Sequence, residues 1–142
     1  MLKERARYYY LEQDYNCAEA IAHAANEVYG LGLSKDSLKL MSGFGGGMCC
    51  GKTCGAVCAA LAVISRCAVS ERAHATCGFK ELCADFILKC EKGFESLDCA
   101  IIKDRNATEA ERCYKTVECV IDLLEAYRAE TYFIAEIPKG AK

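Results

Sequence analysis

Thiols and glycines carry most of the chemistry this chain could do. The stretch from Gly43 to Cys58 reads Gly-Phe-Gly-Gly-Gly-Met-Cys-Cys-Gly-Lys-Thr-Cys-Gly-Ala-Val-Cys and runs directly into an apolar segment. Glycine lets a backbone approach its neighbours closely, and thiolates bind metals or exchange disulfides. Gly46 to Thr53 also matches the phosphate-loop pattern G-x-x-x-x-G-K-[ST]. That pattern works only after a buried strand and before a helix. The preceding residues, Ser37-Leu-Lys-Leu-Met-Ser-Gly, are few and include no β-branched side chain. No later apolar strand ends in Asp to complete a magnesium site, so no nucleotide is expected as a ligand.

No haem is expected either, because the attachment run Cys-x-x-Cys-His is missing. The two histidines, His23 and His74, are read as ordinary surface or core residues. No two cysteines stand in Cys-x-x-Cys spacing, so a compact zinc knuckle is not expected and any metal site must gather distant segments. Thiol or metal-thiolate chemistry finds support at the helix starts. Asn16 reads as an N-cap with Glu19 as its capping-box partner, and Thr53 reads as a second N-cap. Cys17 and Cys54 then take first helical positions, where unpaired amides and the helix dipole favour a thiolate. Two such helix starts could converge on one anionic centre such as an iron–sulfur cluster. The amides of Gly45, Gly46 and Gly47 could approach it and donate hydrogen bonds to sulfur. The competing reading makes the glycines a tight turn between helices and the cysteines core filler.

At 142 residues the chain is long enough for one domain with a real core. Apolar residues make up 53% and charged residues 27%, a globular profile, and the net charge of −2 suggests neither a nucleic-acid partner nor an anionic membrane. The longest apolar run, about 56–64, is too short to span a bilayer, so no membrane insertion is expected. The charged N-terminal residues lack the apolar core of a secretory signal. Twelve cysteines in 142 residues come near the density of a disulfide scaffold, about 8–10%. Without a secretion signal, and with helix formers in place of loops, that number instead suggests a cytoplasmic protein doing metal or thiol chemistry.

The elements that must hold these residues read as helical throughout. The line Cys17, Ile21, Ala25, Val28 has helical spacing and ends at Gly30 and Gly32. Ser34 caps a short helix, and a further helix is expected from Cys54 to about Arg66. Ser70 opens a long one to about Lys92, with Phe79, Cys83, Phe86 and Cys90 on one face and Gly93 as its stop. Ser96 starts a short helix through Ile102. Thr108, with Glu111, caps a last helix carrying Cys113, Val117, Val120 and Leu124. Strand alternation is absent. The expectation is a single all-α domain, a bundle of about five to six helices around a central Gly/Cys-rich loop, with an irregular arm after about residue 132. A homodimer paired through helices is compatible with the pattern but not required by it.

Taken together, Tyr15-Asn-Cys-Ala-Glu-Ala-Ile, Gly43-Phe-Gly-Gly-Gly-Met, Thr53-Cys-Gly-Ala-Val, Phe94 with Cys99, and Cys113 resemble the putative redox-active protein family named for its C-GCAxxG-C-C cysteine signature. The resemblance covers essentially the whole chain. It implies redox or metal chemistry without a defined reaction. By position it carries the four family cysteines onto Cys17, Cys54, Cys99 and Cys113. The glycine that ends the family run is Ala59 here, preceded by Cys58. The first expectation is therefore an iron–sulfur protein for electron transfer or redox sensing, working with an unidentified redox partner. Its ligands would be Cys17, Cys54, Cys99 and Cys113, with Cys49 or Cys50 as substitutes. The second is a metal-free dithiol protein in which Cys54 attacks and Cys17 or Cys50 resolves. The third is a module for thiolate metal storage or sulfur carriage. No residue is assigned a catalytic role.

Overall fold

The computed structural model describes residues 1–131. Seven α-helices follow in order: α1 (Leu2–Arg7), α2 (Cys17–Tyr29), α3 (Lys35–Lys39), α4 (Gly55–Ala68), α5 (Phe79–Phe94), α6 (Cys99–Asn106) and α7 (Tyr114–Thr131). Among the described residues there is no strand, only the isolated bridges Thr53–Asp98 and Thr108–Arg112. The all-α expectation holds, with more helices than the five or six read from the pattern. The sheet that a phosphate loop requires is not present among these residues. No helix among them is long and apolar enough to cross a membrane. The irregular arm expected after about residue 132 lies outside the described residues.

The α2 start follows its sequence closely. The Asn16 side chain accepts hydrogen bonds from the amides of Ala18 and Glu19, each at 3.0 Å. Glu19 reaches back to accept from the Asn16 amide at 3.0 Å, closing the capping box. Gly30 ends α2 in the left-handed region at φ 63°. Ser34 caps α3 by accepting from the Ser37 amide at 3.0 Å.

Helices α2 and α4 pack against each other through small side chains, with α1, α5 and α7 closing the bundle around them. Ala18, Ile21, Ala25, Val57, Ala60 and Ile64 are fully buried between them. Ala59 is also fully buried. The apolar line expected for the last helix, Val117, Val120 and Leu124, faces this core without exposure. On α5 the expected face holds in its second half, where Phe86 and Cys90 are fully buried.

Several boundaries differ from the sequence reading, and each has a local cause. α4 begins at Gly55, with Cys54 as its N-cap in place of Thr53. The Cys54 amide is taken by the Leu97 carbonyl at 2.8 Å, and its ψ of 124° keeps it outside the helix. The long helix expected from Ser70 is broken. Arg72 is extended, a short 3-10 turn spans Ala73–Ala75, and left-handed Gly78 (φ 74°) sets the start of α5. That helix runs through Gly93 and ends at Glu95, which adopts φ 58°. Ser96 bonds the Asp98 amide at 3.1 Å in a turn, and α6 starts only at Cys99. Thr108 does accept from the Glu111 amide at 3.1 Å, but within a turn closed by the Thr108 amide on the Arg112 carbonyl at 2.9 Å. Arg112 is left-handed (φ 51°), so α7 begins after it.

Candidate thiol centre

Four of the cysteines sit at helix starts. Cys17 is the first residue of α2, Cys54 the N-cap of α4 and Cys99 the first residue of α6. Cys113 immediately precedes α7, and its carbonyl accepts from the amides of Thr116 (2.9 Å) and Val117 (3.2 Å), as a capping residue's does. All four line one cavity of about 390 Å³. Each helix start turns unpaired amides and a positive dipole end toward its cysteine, an arrangement that favours negative charge.

Backbone pairing sets two of these cysteines side by side. The Cys99 amide donates to the Lys52 carbonyl at 2.6 Å and the Cys54 amide to the Leu97 carbonyl at 2.8 Å, flanking the Thr53–Asp98 bridge. Cys113 is fixed from another direction, its amide donating to the Tyr10 hydroxyl at 3.0 Å. The Cys17 sulfur rests on Gly55, where a Cβ would approach it to 2.9 Å and collide with the Phe44 carbonyl. Gly55 directly follows Cys54, and its missing side chain seats Cys17.

The glycine loop forms the adjoining wall. Gly46 lines the cavity, and its amide faces the Cys17 sulfur and favours the thiolate there. Gly45 is pressed against the Asn16 side chain, leaving no room for a Cβ. Gly47 is left-handed (φ 64°) and packs against the Cβ of Cys99 and the Lys52 backbone. Gly45 and Gly47 thus hold the loop against two helix starts, and Gly46 turns toward the cavity.

Burial dominates the protonation of Cys17, Cys54 and Cys99. It pushes Cys54, only 4% exposed, up to about 12, against the opposing pull of the Val57 and Ala56 amides. It raises Cys17 despite the Gly46 amide, and it raises Cys99 despite the Lys103 ammonium. Negative charge on Cys17 adds to the rise at Cys54 and Cys99, and charge on Cys113 adds to it at Cys17 and Cys99. The sulfurs therefore feel one another electrostatically. At Cys17 and Cys54 the thiolate that the helix starts alone suggested is overridden by desolvation while the thiols carry no ligand.

The substitute ligands lie elsewhere. Cys49 and Cys50 are exposed and outside the cavity lining. Their thiols turn to the Gly43 and Gly47 carbonyls, each at 3.7 Å. The left-handed run through Gly46, Gly47, Met48 and Cys49 carries them outward. Cys58, one turn after Cys54, is half-buried and likewise outside the lining, as are Cys67, Cys77, Cys83, Cys90 and Cys119. Tyr10, Lys103 and Thr116 do line the cavity and were not singled out from sequence. Spacing could have suggested Thr116, three residues after Cys113, but nothing local ties Tyr10 to Cys113.

The fold and the site together define an all-α bundle whose helix starts bring four thiols to one cavity. A family model described as "Putative redox-active protein (C_GCAxxG_C_C)" matches residues 15–127, and the chain belongs to that family. Comparison with the curated proteins and with the solved structures returns no match.

Proposed function

We propose that Cys17, Cys54, Cys99 and Cys113 hold an iron–sulfur cluster in this cavity, and that the protein transfers electrons or senses redox state through it. The observation that carries this reading is the convergence of the four family cysteines, from four separate segments, on one cavity. Their sulfurs are the soft donors such clusters use. Two sulfurs bound to one ion at about 2.3 Å can stand no more than about 4.6 Å apart. Among the described residues no three His, Cys, Asp or Glu side chains are gathered closely enough to hold a single ion. A cluster suits a wider spacing, because its thiolates bind different irons.

A bound cluster would supply one-electron chemistry. The chain's own part is to release the four thiol protons on binding and to turn amides such as that of Gly46 toward sulfur. Twelve free thiols fit a reducing compartment, which supports the cytoplasm as its working place. The test is iron and acid-labile sulfide analysis with an absorption spectrum on anaerobically purified protein. Protein that is colourless, and that stays free of iron and sulfide after cluster reconstitution, would overturn the reading.

A metal-free dithiol is the second reading. It is favoured by the Cys17 sulfur resting on Gly55, beside Cys54. Here two thiols would lose two protons and two electrons to an oxidant such as diamide and form one disulfide. The thiol count would fall by two. The high pKa of Cys54 weighs against this reading, because little thiolate is present to attack.

A further inference from the structure

Thr116 is 3% exposed, lines the four-thiol cavity, and buries an Oγ1 with no hydrogen-bond partner. A helical threonine usually bonds the carbonyl one turn before it. Here both candidate carbonyls are engaged elsewhere, that of Arg112 by the Thr108 amide and that of Cys113 by the Thr116 and Val117 amides. A buried hydroxyl without a partner is costly, so this one calls for a partner that the chain does not supply.

A second hydroxyl faces the same space. Tyr10 is 5% exposed and lines the cavity. Its oxygen accepts the Cys113 amide, which leaves its own proton free to donate inward. The ring is clamped, with the Arg112 guanidinium 4.3 Å from its centroid while Arg112 also bonds the Tyr10 carbonyl and Asp14. Tyr10 shares the cavity wall with Cys17 and Cys113.

We propose that the Thr116 and Tyr10 hydroxyls form a hydrogen-bonding subsite that donates to sulfur of the group held by Cys17, Cys54, Cys99 and Cys113. The proposal rests on the cluster reading above. One-electron reduction adds negative charge to the bound group. Two fixed O–H donors stabilise that charge and raise the reduction potential.

The experiment compares wild type, Thr116→Val, Thr116→Ser and Tyr10→Phe after anaerobic reconstitution. Iron and sulfide are measured first, then the midpoint potential by spectroelectrochemical titration with dithionite. Thr116→Val and Tyr10→Phe are expected to keep their iron and sulfide. Each should lower the reduction equilibrium constant about tenfold, or ~59 mV for a one-electron couple. Thr116→Ser, which keeps the hydroxyl, should stay at the wild-type potential. Full loading with an unchanged potential in both the Val and Phe variants would overturn the subsite and leave the cluster reading intact. Wild type that takes up neither iron nor sulfide would overturn both. Loss of loading in a folded Thr116→Val protein, with retention in Thr116→Ser, counts for the proposal, and equal loss in both counts against it.

Discussion

A Cβ placed on Gly55 would lie 2.9 Å from the sulfur of Cys17, so the starts of α4 and α2 meet at a contact that only glycine permits. Two effects oppose each other in Gly55→Ala. Alanine favours the helix by up to about 1 kcal/mol over glycine. The added methyl meets the Phe44 backbone carbonyl, which cannot rotate away as a side chain could. Overpacking of this kind costs about 1–3 kcal/mol, so the clash should win. The expected outcome is a lower urea midpoint with an unchanged slope, and an unshifted or raised midpoint would contradict the packing argument.

Asn16 joins three parts of the site. It caps α2, its Nδ2 donates to the Ser42 carbonyl at 3.0 Å, and it lines the cavity. Loss of an N-cap costs about 1 kcal/mol, and up to about 2. Asn16→Ala should fall at the upper end, because the bond to the glycine loop goes with it. Asn16→Asp keeps the cap acceptor but loses that donor, and should destabilise less. Chemical denaturation of the three proteins gives the order: an Asn16→Asp protein as stable as wild type would show that the Ser42 bond contributes nothing, and equal losses in both variants would show the same of the cap.

What could be read from the sequence was what is local. The caps at Asn16 and Ser34 and the buried face of α7 each depend on residues within one or two turns. The start of α4 was missed by one residue because the Leu97 carbonyl takes the Cys54 amide, a partner 43 positions away. The late start of α7 escaped for a similar reason, since Arg112 is turned left-handed by a short bridge and not by any breaker residue. The capping residues Asn16 and Thr53 placed Cys17 and Cys54 at helix starts. Cys99 and Cys113 joined them only through the family resemblance, and Tyr10 and Thr116 needed the folded cavity.

Alkaline pH should loosen the metal-free protein. Burial pushes Cys90 up to about 12, and burial together with Asp85 does the same to Tyr127. Both are buried, at 0% and 2% exposure. Once unfolded, the thiol titrates near 9 and the phenol near 10, so the folded state holds protons that the unfolded state has released. Stability is therefore complete below about pH 9 and is lost as pH rises toward 12, with a slope of up to about 1.4 kcal/mol per pH unit for each group. Cys90→Ala should be less stable at pH 7 and should show a shallower alkaline decline. A decline as steep as wild type's would remove Cys90 from the account.

Thiol reactivity should run opposite to the rank that helix position alone suggests. Cys54 caps a helix but is 4% exposed and pushed up to about 12, leaving on the order of one thiolate in 10⁵ at pH 7. Cys49 and Cys77 are exposed. Timed alkylation of metal-free protein with N-ethylmaleimide, read by peptide mass spectrometry, should label Cys49 and Cys77 well before Cys54 and Cys90. Early labelling of Cys54 would revive the metal-free dithiol reading.

Ligand substitution separates the cavity from its rim. Cys99→Ser leaves the backbone pairing with Lys52 in place, since that bond uses the amide, and removes only the sulfur. The fold should survive, as read by circular dichroism, while iron and sulfide after reconstitution fall to a small fraction of wild type. Cys17→Ser and Cys113→Ser should behave alike, because their sulfurs line the same cavity. The double variant Cys49→Ser/Cys50→Ser should keep full loading, because both thiols turn to loop carbonyls outside it. Loading lost in the double variant and kept in Cys99→Ser would move the centre onto the left-handed loop. Its thiols would then have to swing inward, and the strain at Met48 and Cys49 would be released on binding.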